Sequence, residues 1–197
     1  MTVETEIIDS KLLLYAYTQG LFPMAESRDG GIQWFEPVTR AVFPIDGVKI
    51  SRSLRRTLKK NIFVVRFDTA FEEVMRSCAK REETWISETI IRSYVKLFEL
   101  GFAHSVESWH GTELAGGLYG VALGGAFFGE SMFSRMTDAS KVALAVLMQH
   151  LRKQNFSLVD AQYMSPHLES LGAVEISREE YLKRLTAALK SQCSFID

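Results

Sequence analysis

Phosphate binding, acid–base chemistry and an apolar pocket each leave a trace in this 197-residue chain. The strongest is a run from Gly47 to Phe67 in which Lys49, Arg52, Arg55, Arg56, Lys59, Lys60 and Arg66 occur without an acidic residue. On a helix, Arg52, Arg55, Arg56 and Lys59 are spaced by three and four, so they form one cationic stripe. Such a stripe suits a phosphate backbone, whose binding is driven by counterion release. A solvated helix face is the plain alternative, and composition leaves both open. The second trace is Gly129-Glu130-Ser131-Met132-Phe133-Ser134-Arg135, a carboxylate inside an aromatic-rich strand. Alternation predicts Glu130, Met132 and Ser134 on one face of that strand, with Ser131, Phe133 and Arg135 on the other. A buried Glu130 must be paired or serve a function, so an ion pair with Arg135 or another base stands beside a catalytic role. Third, Asp160 and Gln162 end the apolar run Phe156–Val159. Two apart, they point the same way from a strand's carboxyl end, where open α/β sheets place ligands. An acid and an amide there would orient an amine and relay its proton; a hydrogen-bonded loop anchor is the alternative.

Other chemistries have less support. His104, His110, His150 and His167 lack HExxH or triad-like company and are expected in structural or exposed roles. No GxSxG, P-loop or GxGxxG occurs, so covalent catalysis by Ser or Cys is not expected. Cys78 and Cys193 stand far apart without metal-ligand spacing, which argues against a disulfide framework or structural zinc and for a reducing compartment. With 23 basic and 24 acidic residues the net charge is −1, so nucleic acid would have to meet a local patch. The 47% hydrophobic content excludes long disorder. Met1 to Ile8 is acidic and lacks the pattern of a signal peptide, and no apolar run nears the roughly 18 residues of a membrane span. A soluble, cytoplasmic protein is expected.

Positioning these groups requires a mixed fold. Helical periodicity predicts helices over Ser10–Gln19, from Ser51 to about Lys60, over Thr69–Ala79, over Ser87–Leu100, from Thr137 or Asp138 to about Gln154, and from Ser177 onward. Short apolar pieces at Ile32–Phe35 and Ala41–Pro44 are limited by Pro37 and Pro44 to short or edge strands. Strands are predicted at Phe63–Asp68, His104–Trp109, Leu114–Leu123, Ala126–Phe133 and Phe156–Asp160, with a short one at Ala173–Ile176 after a small helix near Pro166–Leu171. Gly116, Gly117 and Gly120 inside a strand predict a bulge or a close backbone approach. The result is an α+β domain with a largely antiparallel sheet.

The sequence resembles the leucyl/phenylalanyl-tRNA–protein transferases, bacterial N-end-rule enzymes. The matching stretches begin with Ala16-Tyr17, Gly20-Leu21-Phe22-Pro23, Trp34 with Pro37, and Arg40-Ala41. They continue with Ser51-Arg52-Ser53-Leu54-Arg55-Arg56, Thr84-Trp85-Ile86 and His104-Ser105-Val106-Glu107. Gly116-Gly117-Leu118-Tyr119-Gly120-Val121, Gly129 to Arg135, and Asp138-Ala139-Ser140-Lys141 are the densest. Asp160 with Gln162, His167-Leu168 and Ser170-Leu171-Gly172-Ala173 close the series, which runs from about Leu12 to about Leu185. Met24 and Phe35 stand where the family often has Trp, Ala161 where Cys is common, and the stretch before Leu12 is short, which predicts a reduced first domain.

The resemblance implies a catalytic domain of the N-acetyltransferase-like (GNAT) fold over residues 63–197, after a small N-terminal α/β domain over 1–62. It implies transfer of Leu or Phe, and Met less well, from aminoacyl-tRNA to the α-amine of proteins beginning with Arg or Lys, which marks them for degradation. Leu118, Phe127 and Met132 match the family's acyl pocket. Trp85, by resemblance, stacks on the terminal adenosine as aromatic platforms do, with Met24 and Ser134 completing the aminoacyl-adenosine site. Arg52, Arg55, Arg56 and Lys59 would hold tRNA phosphates. Aminolysis of an ester that is already activated needs no cofactor or metal, and none is expected. Asp160 and Gln162 are assigned the proton relay, and Glu130 the positioning of the amine or of the cationic first side chain. No membrane contact and a monomer are expected. An acetyl-CoA-dependent N-acetyltransferase is the runner-up, but Ser134 to Ala139, ahead of the long helix, has no glycine for a pyrophosphate cradle. A non-catalytic RNA-binding module would explain the basic helix but not Glu130, Asp160 and Gln162 beside an apolar pocket.

Overall fold

A computed structural model describes residues 7–196; the acidic start through residue 6, where a targeting signal would begin, lies outside the described residues. Helix α1 (Ser10–Thr18) starts at Asp9, whose carboxylate accepts the Leu12 N–H, and it buries Leu13, Ala16 and Tyr17. Strands β1 (Phe22–Ala25) and β2 (Ile32–Phe35) pair antiparallel as a separate two-stranded sheet. Local pattern does not predict the strand over Phe22–Ala25; Pro23 is tolerated because this small sheet consists of edges alone.

The chain continues through β3 (Thr39–Phe43), α2 (Arg52–Lys59), β4 (Val64–Phe67), α3 (Phe71–Cys78) and α4 (Glu88–Glu99). Three long strands follow, β5 (Ala103–His110), β6 (Glu113–Leu123) and β7 (Ala126–Ser134), and then α5 (Ala139–Lys153) and β8 (Leu158–Gln162). Helix α6 (Pro166–Ser170), strand β9 (Val174–Ser177) and helix α7 (Arg178–Ala188) complete it. The main sheet has seven strands in the order β4-β5-β6-β7-β8-β3-β9. All its pairs are antiparallel except β7 with β8. Residues Thr39–Phe43, inside the span 1–62 expected as a small domain, therefore lie within the main sheet, between β8 and β9.

Both faces of the central strands are covered, which is why β6 and β7 read as nearly continuous apolar runs. Tyr119, Val121 and Phe128 face a core shared with Leu13 and Tyr17 of α1, Val74 and Met75 of α3, and Ile90, Tyr94 and Leu97 of α4. Leu118 and Phe127 face a second core with Leu144, Leu147 and Leu151 of α5. The bulge predicted from the glycines is present: Tyr119 pairs with Ser131, but Gly120 pairs with Gly129, leaving Glu130 as the extra residue of β7. A Cβ at Gly120 would lie 2.3 Å from the Phe128 carbonyl oxygen and 2.6 Å from the Phe127 ring, so only glycine lets the bulged strand press this close.

That bulge corrects the expected alternation. An inserted residue shifts the side-chain phase, so Glu130 bonds to Tyr17 in the first core while Met132 packs against the second. Strand β8 likewise runs Leu158–Gln162 rather than Phe156–Asp160. Asn155, at φ +61, turns the chain out of α5, and the Phe156 N–H still bonds back to the Leu151 carbonyl. Asp138 does not cap α5 with its side chain: its carboxylate accepts from Thr57 Oγ1 of α2 (3.2 Å) and Lys141 Nζ (3.0 Å).

Candidate active site

The parallel pair β7–β8 is in register only from Ala126–Leu158 to Phe128–Asp160. Beyond Phe128, β7 bulges at Glu130, and β8 ends at Gln162 with a left-handed φ of +62°. A cleft of about 330 Å³ opens at these two carboxyl ends, where a parallel pair leaves room for a ligand. Its apolar part is built from Leu118, Phe127, Met132, Leu144, Leu147 and Val159. Glu130 and Asp160 supply its buried polar wall, and Arg81 and His167 also line it.

Glu130 is 8% exposed and enters this wall with one oxygen used and one free. Its Oε1 accepts from Tyr17 Oη (2.6 Å) and Gln162 Nε2 (3.0 Å), whereas Oε2 is buried without a hydrogen-bond partner. The single Tyr17 proton goes to Glu130, so the Tyr17 oxygen must accept from Tyr94, which stands in close hydrogen-bond contact with it. Burial pushes the Glu130 carboxyl up to about 7, against the lowering effect of the Tyr17 and Gln162 bonds. Burial and then the Glu130 charge push the Tyr17, Tyr94 and Tyr119 phenols well above their ordinary range, so they stay neutral donors. Tyr119 Oη is likewise buried without a hydrogen-bond partner. A buried carboxyl oxygen without a partner is costly, and a carboxyl raised by burial beside a cleft is a candidate functional group.

Asp160 is fully engaged. Its Oδ1 accepts from Arg40 Nε (2.9 Å) and the Gln162 N–H (2.8 Å). Its Oδ2 accepts from Arg40 Nη2 (2.6 Å), Arg40 Nε (3.1 Å) and Tyr181 Oη (2.8 Å). The Arg40 guanidinium lies between the Phe22 and Tyr181 rings, 4.7 and 4.5 Å from their centroids, and donates to the Gly20 carbonyl. Asp160 and Gln162 are thus coupled, through the backbone: the carboxylate grips the Gln162 N–H, and the Gln162 amide reaches Glu130. A proton relay through Asp160 has no free oxygen to use. Nor does Glu130 pair with Arg135, which instead bonds to Ser77 Oγ and the Leu114 carbonyl.

The remaining expected residues divide. Leu118, Phe127 and Met132 line the cleft with Glu130 and Asp160. Trp85 and Met24 are half-buried, pack against the first core and do not line it. The Ala25 N–H bonds to the Trp85 carbonyl (3.1 Å), so the β1 strand that carries Met24 and the Trp85 segment are docked together. Ser134 lies in a neighbouring cleft of about 810 Å³, where its hydroxyl donates to the Met136 carbonyl and accepts from the Ser140 N–H. That cleft shares Arg81, Met132 and His167 with the first and adds Lys80, Arg135 and Lys141. On α2, Leu54 is fully buried while Arg52, Arg55, Arg56 and Lys59 are exposed. The Thr57–Asp138 bond ties this basic helix to the edge of the second cleft.

Sequence reasoning missed Tyr17, Tyr94, Arg40 and Tyr181 as parts of the polar network. An arginine opening the apolar strand Ala41–Phe43 was a usable signal, because a buried guanidinium demands a buried carboxylate. Tyr17 gave none, since on α1 it falls on the same face as core leucines.

The family models and the curated relatives agree on one family. A family model described as leucyl/phenylalanyl-tRNA protein transferase matches residues 42–186, and the model of that enzyme's N-terminal domain matches residues 7–38. The leucyl/phenylalanyl-tRNA–protein transferase of Chlorobaculum parvum is 57% identical over 188 residues, covering 93% of this chain and 97% of that one. Those of Chlorobium limicola (53%, covering 96% and 100%) and Gloeobacter violaceus (54%, covering 94% and 96%) are similar throughout. Among solved structures, L-PGS from Bacillus licheniformis aligns with a TM-score of 0.45 and 12% identity over 92% of this chain and 77% of that one, too distant to define a fold. With the match spanning most of the chain, this protein belongs to the leucyl/phenylalanyl-tRNA protein transferase family.

Proposed function

We propose that the chain transfers Leu or Phe, and Met less well, from aminoacyl-tRNA to the α-amine of proteins that begin with Arg or Lys, marking them for N-end-rule degradation. The observation that carries this reading is the apolar cleft of Leu118, Phe127 and Met132 with Glu130 in its wall, a buried carboxyl one of whose oxygens has no hydrogen-bond partner. The acyl side chain occupies the Leu118, Phe127 and Met132 part of the cleft, leaving the ester carbonyl beside Glu130. The acceptor nitrogen attacks that carbonyl, and Glu130 Oε2 takes its proton. The carbon–oxygen bond to the ribose then breaks, the ribose oxygen takes up the proton and a peptide bond remains. A peptide amine titrates at about 7.7–8.0, so a base near 7 is matched to the task.

Gln162 and Tyr17 hold Glu130 in place, and Asp160 with Arg40 holds Gln162; Asp160 is a positioning residue here. The second cleft, with Lys80, Arg135 and Lys141, is the route by which the tRNA end reaches the site, and the α2 stripe of Arg52, Arg55, Arg56 and Lys59 holds phosphates further along. Trp85, with Met24 on the strand docked to its segment, and Ser134 in the second cleft serve the terminal adenosine. We read the mixed sheet with its one parallel pair as N-acetyltransferase-like. We place the division between the two domains near residues 38–42, where the two family matches meet, instead of at 62. Charged tRNA as donor argues for work in the cytoplasm, and we propose a monomer. Among the described residues no helix is long and apolar enough to cross a membrane.

The test is incubation with labelled Leu-tRNA or Phe-tRNA and an Arg-initiated peptide, with acetyl-CoA in a parallel reaction. Label in the peptide is the expected result. Acetylation without aminoacyl transfer, or tRNA binding without either, would overturn the reading.

A further inference from the structure

The segment after α7 lies beyond residue 186, where the family match ends, yet it is built into the protein. Its anchor is Phe195, which is 3% exposed. The Phe195 ring is stacked on the His104 imidazole (centroids 4.1 Å apart, planes at 17°) and on Phe127 (5.5 Å, 22°). Phe67, His150 and Phe156 surround it at 5.9, 4.9 and 6.4 Å. The backbone is held as well: His150 Nε2 bonds to the Phe195 carbonyl at 2.6 Å, and Cys193 Sγ donates to the Asn155 carbonyl at 3.4 Å. Phe127 is both the partner of this stack and a lining residue of the acyl cleft.

We propose that Phe195 is a specificity-determining residue: by backing Phe127, the C-terminal segment sets the depth of the acyl pocket and hence the choice among Leu, Phe and Met donors. This rests on the proposed transfer reaction. An apolar pocket separates side chains that differ by a methylene or two by roughly 10–200-fold, and only if its walls cannot retreat. A ring with a packed ring behind it cannot retreat, whereas a ring with a void behind it relaxes into the void. Phe195 touches no substrate in this arrangement and acts through Phe127.

The experiment compares the parent with Phe195→Ala and Phe195→Leu, measuring kcat and KM for Leu-tRNA and Phe-tRNA with one Arg-initiated peptide. Phe195→Ala should raise the Phe-to-Leu ratio of kcat/KM by about tenfold. The change should appear in donor KM, with acceptor KM unaltered; Phe195→Leu should lie between. A stabilising plug with no link to the pocket would lower the melting temperature and leave that ratio alone. Should Phe195→Ala fail to fold, Phe195→Leu carries the test. Ratios within twofold of the parent in a folded variant overturn this proposal while leaving the transfer reading intact. A parent that transfers neither residue sinks both.

Discussion

Replacing Glu130 by Gln tests the raised carboxyl through the pH dependence of stability and its catalytic role through transfer. The folded protein holds this carboxyl at about 7, against an ordinary value of 4.5. Between those two pH values the folded chain keeps a proton that the unfolded chain has lost, so stability falls as pH rises. Sign and window follow directly: the favourable contribution is complete below about 4.5 and is lost as pH climbs to about 7. A separation of about 2.5 pH units at about 1.4 kcal/mol each comes to about 3 kcal/mol. Glu130→Gln is neutral at every pH and keeps an oxygen for Tyr17 and Gln162, so it escapes this loss. Its new amide hydrogens face the place where Oε2 had no partner, a pH-independent cost of about 1–3 kcal/mol. The readout is therefore the slope. In urea unfolding of both proteins from pH 4 to 9, the stability of Glu130→Gln relative to the parent should climb by about 3 kcal/mol across the window and stay level outside it. Transfer by Glu130→Gln should fall by about 10²–10⁴ in kcat/KM. A stability difference that is flat with pH, or near-parental transfer, would refute the assignment of a poised base.

Three further outcomes are expected. Asp160→Asn leaves the buried Arg40 guanidinium uncompensated and should cost about 3–5 kcal/mol in urea unfolding; a loss under about 1 kcal/mol would contradict the role given to this pair. Tyr17→Phe removes a bond that favours ionised Glu130, so the limb of the kcat/KM profile governed by Glu130 should move to higher pH, with a stability loss of about 1–3 kcal/mol from the orphaned Tyr94 hydroxyl. Arg55→Ala together with Arg56→Ala should raise KM for Leu-tRNA and flatten its dependence on log salt by about 0.7–0.9 for each phosphate no longer neutralised, while a leucyl-adenosine donor is used as before; equal impairment with both donors would place these residues in the acyl site.

Local pattern carried much of the architecture. The strand runs between Gly-containing turns that became β5, β6 and β7, the capped helices α2 and α4 with Ser51 and Ser87 at their N-caps, and the apolar stripe of α5 were legible because period and capping are properties of neighbours in sequence. Glu130, Asp160, Leu118, Phe127 and Met132, read separately in the sequence, line one cleft. Their division of labour was not legible. Asp160 reads as either a relay acid or a hydrogen-bonded anchor until Arg40, 120 residues away, arrives between β8 and β9 and takes both its oxygens. Glu130 reads as a paired or functional carboxylate on one face with Met132 until a one-residue mismatch with β6 turns it toward Tyr17 and Gln162. Residue type and spacing decided which groups were present and which helices and strands would carry them. Whether a carboxylate is neutralised or left with an open oxygen depends on partners distant in the chain and on strand register, and those exist only once the sheet has closed around them.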